Sequence, residues 1–301
     1  MKRSNNTSPT TNHLPSIQYQ RLYKKLLTKI GIVILLLLIG NITYGQVKFE
    51  WAKNIGSTMI VEGNAITVDA SGNIYTAGGF KETANFNPGT GISNLTAIGD
   101  FDIFIQKLDA QGNLLWIKSI GGANEDQANS IVVDNSGNLY ITGTFQGTVD
   151  FDPNAGIFNL TASGNSIFVL KLDLLGNLVW AKNMGDIGTS EGTSIQVDGL
   201  GNVYTTGYFY GTVDFDPNAG IFNLTVVGGN NDIFVQKLDA GGNLVWAKSM
   251  GGISEDKGTS IALDSLGNVY TTGYFAGTVD FDPNVGVFIL NPTGGGYYTF
   301  I

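Results

Sequence analysis

GTSIQVDGLGNVYTTGYFYGTVDFDPNAGIFNL at 192–224 returns as GTSIALDSLGNVYTTGYFAGTVDFDPNVGVFIL at 258–290. Working outward, the same unit extends along the chain. Trp51, Trp116, Trp180 and Trp246 fall 65, 64 and 66 residues apart, and Tyr75, Tyr140, Tyr204 and Tyr270 keep those spacings. Self-similarity at a fixed period of this length marks a repeat architecture, in which each unit is one supersecondary element that buries its apolar surface on its neighbours.

One unit, from Gly188 to Gly252, contains four strand candidates: TSIQVD (193–198), NVYTTGYF (202–209), DIFVQKLD (232–239) and NLVWAKSM (243–250). β-branched and aromatic residues dominate them, and no stretch shows the three-and-four spacing of an amphipathic helix. In NVYTTGYF, Val203 and Phe209 point one way and Tyr204 and Tyr208 the other. NLVWAKSM likewise sets Leu244, Trp246 and Met250 against Val245 and Ala247. Apolar residues on both faces imply that both are covered, and with no helices available the cover must be other sheets. The expected fold class is therefore all-β, a β-propeller of four-stranded blades of ~65 residues.

Turn chemistry pairs the strands. The form DxxGN starts at Asp69, Asp109, Asp134, Asp173, Asp198, Asp239 and Asp264. Its Asp can accept backbone N–H bonds and its Gly can take positive φ, so each period should hold two hairpins. GTVDFDPNAGIFNLT (211–225) connects them.

The phrases DxxGNVYTTGYF, GTVDFDP and DIFVQKLDxxGNLVWAK resemble the SBBP (seven-bladed β-propeller) repeats of secreted bacterial proteins. The resemblance covers Val47 to Ile301. DxxGNVY is also similar to NHL repeats, and LDAGGNLVW to the tryptophan-docking motif of quinoprotein blades. The resemblance implies a propeller scaffold outside the cytoplasm and no particular activity.

Blades are expected at about 57–121, 122–185 and 186–251, with an incomplete fourth at 252–301. VKFEWAKNIG (47–56) matches only the last strand of a unit. It could complete the final blade and close a four-bladed ring. Alternatively the chain is a fragment of a larger propeller, which is the preferred reading because exposed sheet edges are a liability.

Residues 1–45 differ from the rest. They hold Lys2, Arg3, Arg21, Lys24, Lys25 and Lys29, no acid, and the apolar run IGIVILLLLIG from Ile30 to Gly40. That run falls short of the roughly 20 residues of a membrane span. With Thr43 and Gly45 before a cut at Gln46, it reads as a signal peptide, so the mature chain is expected at 46–301, without a membrane span, secreted or on a bacterial cell surface. An uncleaved anchor is the rival.

The mature chain sets ten of the sixteen basic residues against all twenty-five acids, near −15. Such a surface disfavours nucleic acid, whose phosphates need Lys and Arg clusters. Cys is absent, and His13, Arg3 and Arg21 all fall in the export segment. Histidine-based triads, His/Cys zinc sites and bidentate arginine recognition are therefore excluded from the mature chain.

The DFDPN loops place Asp150, Asp152 and Asn154 at alternate positions, then Asp214, Asp216 and Asn218, then Asp280, Asp282 and Asn284. Oxygens at positions 1, 3 and 5 suit a Ca²⁺ loop, the one cofactor the sequence suggests. The glycine falls at position 7 instead of 6, no Glu follows at 12, and the first copy reads Asn85-Phe-Asn87. A connecting turn in which Phe151, Phe215 and Phe281 plug the core is the preferred reading. Glu125–Asp126 and Glu255–Asp256 are adjacent carboxylates that could serve glycoside hydrolysis, but a solvated loop between blades is expected. The tryptophans are expected to pack between blades rather than stack sugars. Asn94-Leu-Thr96, Asn159-Leu-Thr161 and Asn223-Leu-Thr225 match glycosylation sequons and read as strand residues.

The function expected is a non-catalytic scaffold for binding or adhesion to a glycan, protein or cell-surface ligand. The alternative is a carboxylate- or Ca²⁺-dependent hydrolase or lyase. Absent His and Arg, and copies too alike to hold one special site, favour the scaffold. Ligand identity, oligomeric state, blade number and anchoring are open from sequence.

Overall fold

A computed structural model describes residues 24, 25, 27, 48–56, 59–185 and 188–301. The expected export segment at 1–45 therefore lies outside the described residues, apart from Lys24, Lys25 and Leu27. Among the described residues no helix is long and apolar enough to cross a membrane.

The body from Trp51 onward is all β, four small sheets set side by side as the blades of a propeller. Blade 1 contains β1 (Val61–Val68), β2 (Ile74–Phe80), a short ribbon of β3 (Thr83–Asn85) and β4 (Asn94–Thr96), then β5 (Asp102–Leu108) and β6 (Leu114–Ile120). Its sheet order is β1-β2-β5-β6, antiparallel throughout. Blade 2 has β7 (Gln127–Val133), β8 (Leu139–Asp150), β9 (Asn159–Leu172) and β10 (Leu178–Met184); its middle strands are long enough to carry the ribbon themselves. Blade 3 repeats blade 1 with β11 (Glu191–Val197), β12 (Val203–Phe209), the ribbon β13 (Thr212–Asp214) and β14 (Asn223–Thr225), β15 (Asp232–Leu238) and β16 (Leu244–Gly252). Blade 4 has β17 (Lys257–Leu263), β18 (Val269–Ala276), the ribbon β19 (Val279–Asp280) and β20 (Ile289–Leu290), and β21 (Tyr297–Phe300) as third strand.

All seven DxxGN turns form as their chemistry requires. In each, the Asp Oδ1 accepts two backbone N–H groups, as Asp198 does from Leu200 and Asn202 at 2.9 Å each. The glycine takes positive φ, between 76° and 84° across the set, where a Cβ is strained. In the first hairpin of every blade a tyrosine hydroxyl then donates to the same Asp: Tyr75 to Asp69, Tyr140 to Asp134, Tyr204 to Asp198 and Tyr270 to Asp264, at 3.1 to 3.3 Å.

A second glycine in each blade sets strand register. Gly78, Gly143, Gly207 and Gly273 face a bulge in the first strand, between 63 and 65 in blade 1 and at matching positions after it. A Cβ on Gly207 would sit 1.9 Å from the Glu191 carbonyl oxygen, so no larger residue fits. Beside it, Phe215 is fully buried, edge-on to Phe209 at 5.4 Å and tilted against Phe234 at 5.1 Å. The triad recurs as Phe80–Phe86–Phe104, Phe145–Phe151–Phe168 and Phe275–Phe281–Phe300. The expected phenylalanine plugs are thus in place.

Buried apolar clusters recur at the joints between blades. Ile131 of blade 2 shares a buried cluster with Tyr75 of blade 1, Ile195 with Tyr140, and Ile261 with Tyr204. β12 is buried at every residue, as two apolar faces require. The outer strands differ from expectation. Leu115, Val179 and Val245 are about half exposed, because cover from the adjoining sheet reaches the inner strands and leaves one face of the fourth strand in solvent.

The opening segment does not complete the last blade. Trp51 donates its indole N–H to Ala110 O, and Gly56 bridges Asn85 on β3. Gly251 of β16 makes the matching bridge to Asp280. The segment thus lies beside blade 1 where the outer strand of a preceding blade would lie, and the sheet of blade 4 has three strands, β17-β18-β21.

Candidate functional site

The ribbons project the most repetitive chemistry of the chain. Asp214 Oδ1 accepts N–H bonds from Asp216 at 3.0 Å and Phe222 at 2.7 Å, and Asp216 Oδ1 accepts from Asn218 at 3.0 Å. The same bonds form at Asp150, Asp152 and Asn154, and at Asp280, Asp282 and Asn284. The glycine at loop position 7 has a steric cause: a Cβ on Gly220 would fall 2.0 Å from an Asp216 carboxylate oxygen, which folds over it.

In blade 1, Asn85 and Asn87 make the equivalent bonds without charge. The carboxylates therefore serve the turn as acceptors. Asn154 Oδ1 and Asn218 Oδ1 receive the ammonium groups of Lys118 and Lys182, a cation supplied by the neighbouring outer strand. In the second and third blades oxygens 1, 3 and 5 thus each have a donor, and among the described residues no group of three or more acidic or histidine side chains gathers as a metal site. A shallow cleft of roughly 410 Å³ opens beside the third ribbon, lined by Asn183, Thr212, Asp214, Asp216, Asn218 and Asn223.

At the tip of each ribbon an aliphatic residue stands in solvent: Ile92, Ile157, Ile221 and Val287, each 73 to 80% exposed. Phe158 and Phe222 beside them are about 40% exposed. Sequence reading missed this row, although the recurring GIF and GVF after DPN carried the signal.

The tryptophans lie inside the fold. Trp116, Trp180 and Trp246 contact Tyr75, Tyr140 and Tyr204 with ring centroids 6.1 to 6.4 Å apart. Trp180 donates to Ala240 O of the next blade at 3.1 Å. Trp116 and Trp180 lie against Gly176 and Gly242 in the turns of the following blades, the inter-blade packing expected.

The adjacent acids behave otherwise than a solvated loop. Asp126 and Asp256 are fully buried, while Glu125 bonds the Gln127 amide and Glu255 accepts from Tyr297 and pairs with Lys257. Neighbours in sequence point to opposite sides, one into the joint between blades and one to its rim. Each buried member bonds, through its backbone N–H, the residue before another buried acid, Asp126 to Phe101 beside Asp102 and Asp256 to Asn231 beside Asp232. Burial pushes Asp126 and Asp232 up to about 7 and Asp256 up to about 6, with the facing or adjacent acids adding to it. Burial also raises Asp102. The Oδ1 atoms of Asp102 and Asp232 have no hydrogen-bond partner. At the middle joint the matching residues are Ser166 and Ser190, and Ser166 donates to Met184 O and Gly185 O. These carboxyls are enclosed, so no polysaccharide reaches them.

A family model for the SBBP β-propeller repeat matches residues 115–144 and 245–274, the second hairpin strand of one unit through the first hairpin of the next. An uncharacterized WD repeat-containing protein of Acanthamoeba polyphaga mimivirus is 26% identical over 264 residues, 75% of this chain and 19% of that protein. The regulatory protein FlaEY of Caulobacter vibrioides is 29% identical over 126 residues, 40% of this chain and 13% of that protein. The chain thus spans less than a fifth of the length of either relative. It is a β-propeller repeat protein carrying SBBP repeats.

Proposed function

We propose that the chain is a non-catalytic binding scaffold, exported from the cell, that engages an extracellular glycan or protein through its rim ribbons. The observation that carries this is the exposed Ile92, Ile157, Ile221 and Val287, one per blade at the same position. Each sits beside the self-bonded DFDPN turn, or its asparagine version in blade 1. What sets these four apart from other exposed aliphatics is that they recur at one position in every blade. A row of identical contacts at regular spacing suits a ligand that is itself repetitive, because linked weak contacts raise overall avidity. Export rests on the signal-peptide reading of residues 1–45 and on the resemblance to the SBBP repeats of secreted bacterial proteins.

Glycan and matrix-protein arrays probed with the whole chain test the proposal, in parallel with an Ile157→Ser/Ile221→Ser/Val287→Ser variant. The proposal expects a ligand whose binding falls at least tenfold in the variant. Binding that ignores the substitutions contradicts the ribbon site, and cleavage of any arrayed polysaccharide contradicts the non-catalytic reading.

A further inference from the structure

The third ribbon meets the strand before it differently from the others. Elsewhere the glycines that follow an outer-strand sequence close against the next ribbon. Gly56 bridges Asn85, and Gly251 and Gly252 pair with Asp280 and Val279. A Cβ on Gly122 would fall 2.6 Å from Thr148 O, so those two backbones touch. After β10 the corresponding residues are Gly185 and Asp186, an acid in place of the second glycine. Gly185 takes a φ of 96°, and an added parallel bridge from Asn165 to Thr189 draws the chain back toward β9. Among the described residues nothing pairs the end of β10 with β13. The gap left there is the cleft of roughly 410 Å³ beside the third ribbon.

The walls of the cleft carry polar groups that the fold does not use. Asn183 on β10 stands where the outer strands of blades 1 and 3 have Ser119 and Ser249. Neither Asn183 nor Asn223 bonds another described residue through its side chain, and both line the cleft. Asp214 spends only Oδ1 on the turn, taking the N–H groups of Asp216 and Phe222, which leaves Oδ2 as a charged acceptor. Lys182 is already engaged by Asn218 Oδ1 at 2.7 Å. Next to Asn223 in the chain, Ile221 and Phe222 present apolar surface, 80 and 39% exposed.

A sugar ring calls for this mixture. Each of its hydroxyls both donates and accepts, so amides and a carboxylate together can satisfy it, while its C–H face packs on apolar side chains. The carboxylates of Asp214 and Asp216 repel an anionic sugar or an acidic peptide. We propose that this cleft binds one neutral sugar ring of a glycan through Asn183, Asn223 and Asp214, with Phe222 beside it. The inference rests on the ribbon reading above and narrows its ligand to carbohydrate. It also makes the third ribbon different in kind from the others, a single polar site within a row of repeated apolar ones.

Saturation-transfer NMR of the whole chain with the methyl glycosides of glucose, galactose, mannose and N-acetylglucosamine tests this, followed by titration of those that respond. At least one glycoside binds wild type. Asn183→Ser copies the outer strands of blades 1 and 3, so the fold is kept, which circular dichroism checks; it weakens binding about tenfold. Asp214→Asn, which copies Asn85 of blade 1, weakens it by a similar factor. An Ile157→Ser/Val287→Ser variant, altered only at other ribbons, binds the free glycoside as wild type does. The inference is overturned if no glycoside binds, or if Asn183→Ser binds as wild type does. The ribbon reading survives either result as long as Ile157→Ser/Ile221→Ser/Val287→Ser still lowers binding on the arrays. A lysine-rich peptide that binds in a manner lost in Asn183→Ser, with no response from the glycosides, overturns carbohydrate as the ligand.

Discussion

Asp256 donates its backbone N–H to the carbonyl of Asn231, next to Asp232, at 2.8 Å; both carboxyls are buried, and Asp232 Oδ1 has no hydrogen-bond partner. Ser166, at the matching position one blade earlier, donates its hydroxyl proton to the carbonyls of Met184 and Gly185. The carbonyl-bearing Gly251 lies directly beneath Asp232, since a Cβ there would fall 2.3 Å from Oδ1. Ionising Asp232 leaves a buried carboxylate oxygen with no donor, and protonation relieves that cost.

The first prediction is a stability that falls as pH rises through neutrality. A carboxyl whose folded pKa lies above its unfolded value of 3.8 binds more protons when folded. It is stabilising below the unfolded value and loses that stabilisation as pH climbs through the folded one, about 6 for Asp256 and about 7 for Asp126 and Asp232. The turn acids work the other way. Burial opposes ionisation of Asp69, Asp134 and Asp198, but hydrogen bonds from Asn73, Asn138 and Asn202 and nearby backbone outweigh it and hold them low. Their stabilisation fades only as pH drops below about 4. Thermal melts across pH 3 to 9 should peak near pH 4, fall up to about pH 7 and level off above it. An Asp232→Ser/Asp256→Ser variant, copying the middle joint, should recover roughly 1–4 kcal/mol at pH 8 and flatten the neutral limb.

The second prediction concerns the ribbons. Blade 1 builds its turn with Asn85 and Asn87. Asp214→Asn should therefore cost less than about 0.5 kcal/mol, while Asp214→Ala, which abandons two backbone N–H groups, should cost about 1–2 kcal/mol. Chemical denaturation measures both. Because the oxygens already have N–H and ammonium donors, the difference should be the same with and without millimolar Ca²⁺. A Ca²⁺-dependent rise in wild-type stability that Asp214→Ala abolishes would establish the loop as a calcium site instead.

The third prediction separates two glycines. Gly207→Ala drives a methyl group into Glu191 O and the Phe234 ring and should destabilise by about 1–3 kcal/mol. Gly241→Ala, in a turn where φ is not left-handed and only side chains lie nearby, should stay within about 0.5 kcal/mol of wild type. Equal effects would contradict the close approach of the first two strands.

Much of this was legible in the sequence. The period, the DxxGN hairpins and the buried phenylalanines follow from local chemistry that one repeat states and the others restate. Blade 4 shows the limit of that legibility: the phrase TTGYF is the same at 205–209 and 271–275, yet the tyrosine before it is covered in one and open in the other. Local sequence encodes the strand, whereas cover comes from the adjoining blade. The acidic loop misled for a related reason. Glu125 and Asp126 share a polar stretch, and only the fold shows that Asp126 turns inward to a partner on β5. A signal was present, since Asp102, Ser166 and Asp232 vary in step with Asp126, Ser190 and Asp256. Paired change between two repeat positions indicates a contact that hydrophobic periodicity cannot show.

An isoleucine of one blade, buried in one cluster with a tyrosine of the blade before it, recurs at all three joints. A double-mutant cycle on Tyr204→Ala and Ile261→Ala, read by denaturant unfolding, measures that contact across the third joint. A coupling of about 0.5–3 kcal/mol is expected between them, and little between Tyr270→Ala and Ile261→Ala. Strict additivity of Tyr204→Ala with Ile261→Ala would contradict it.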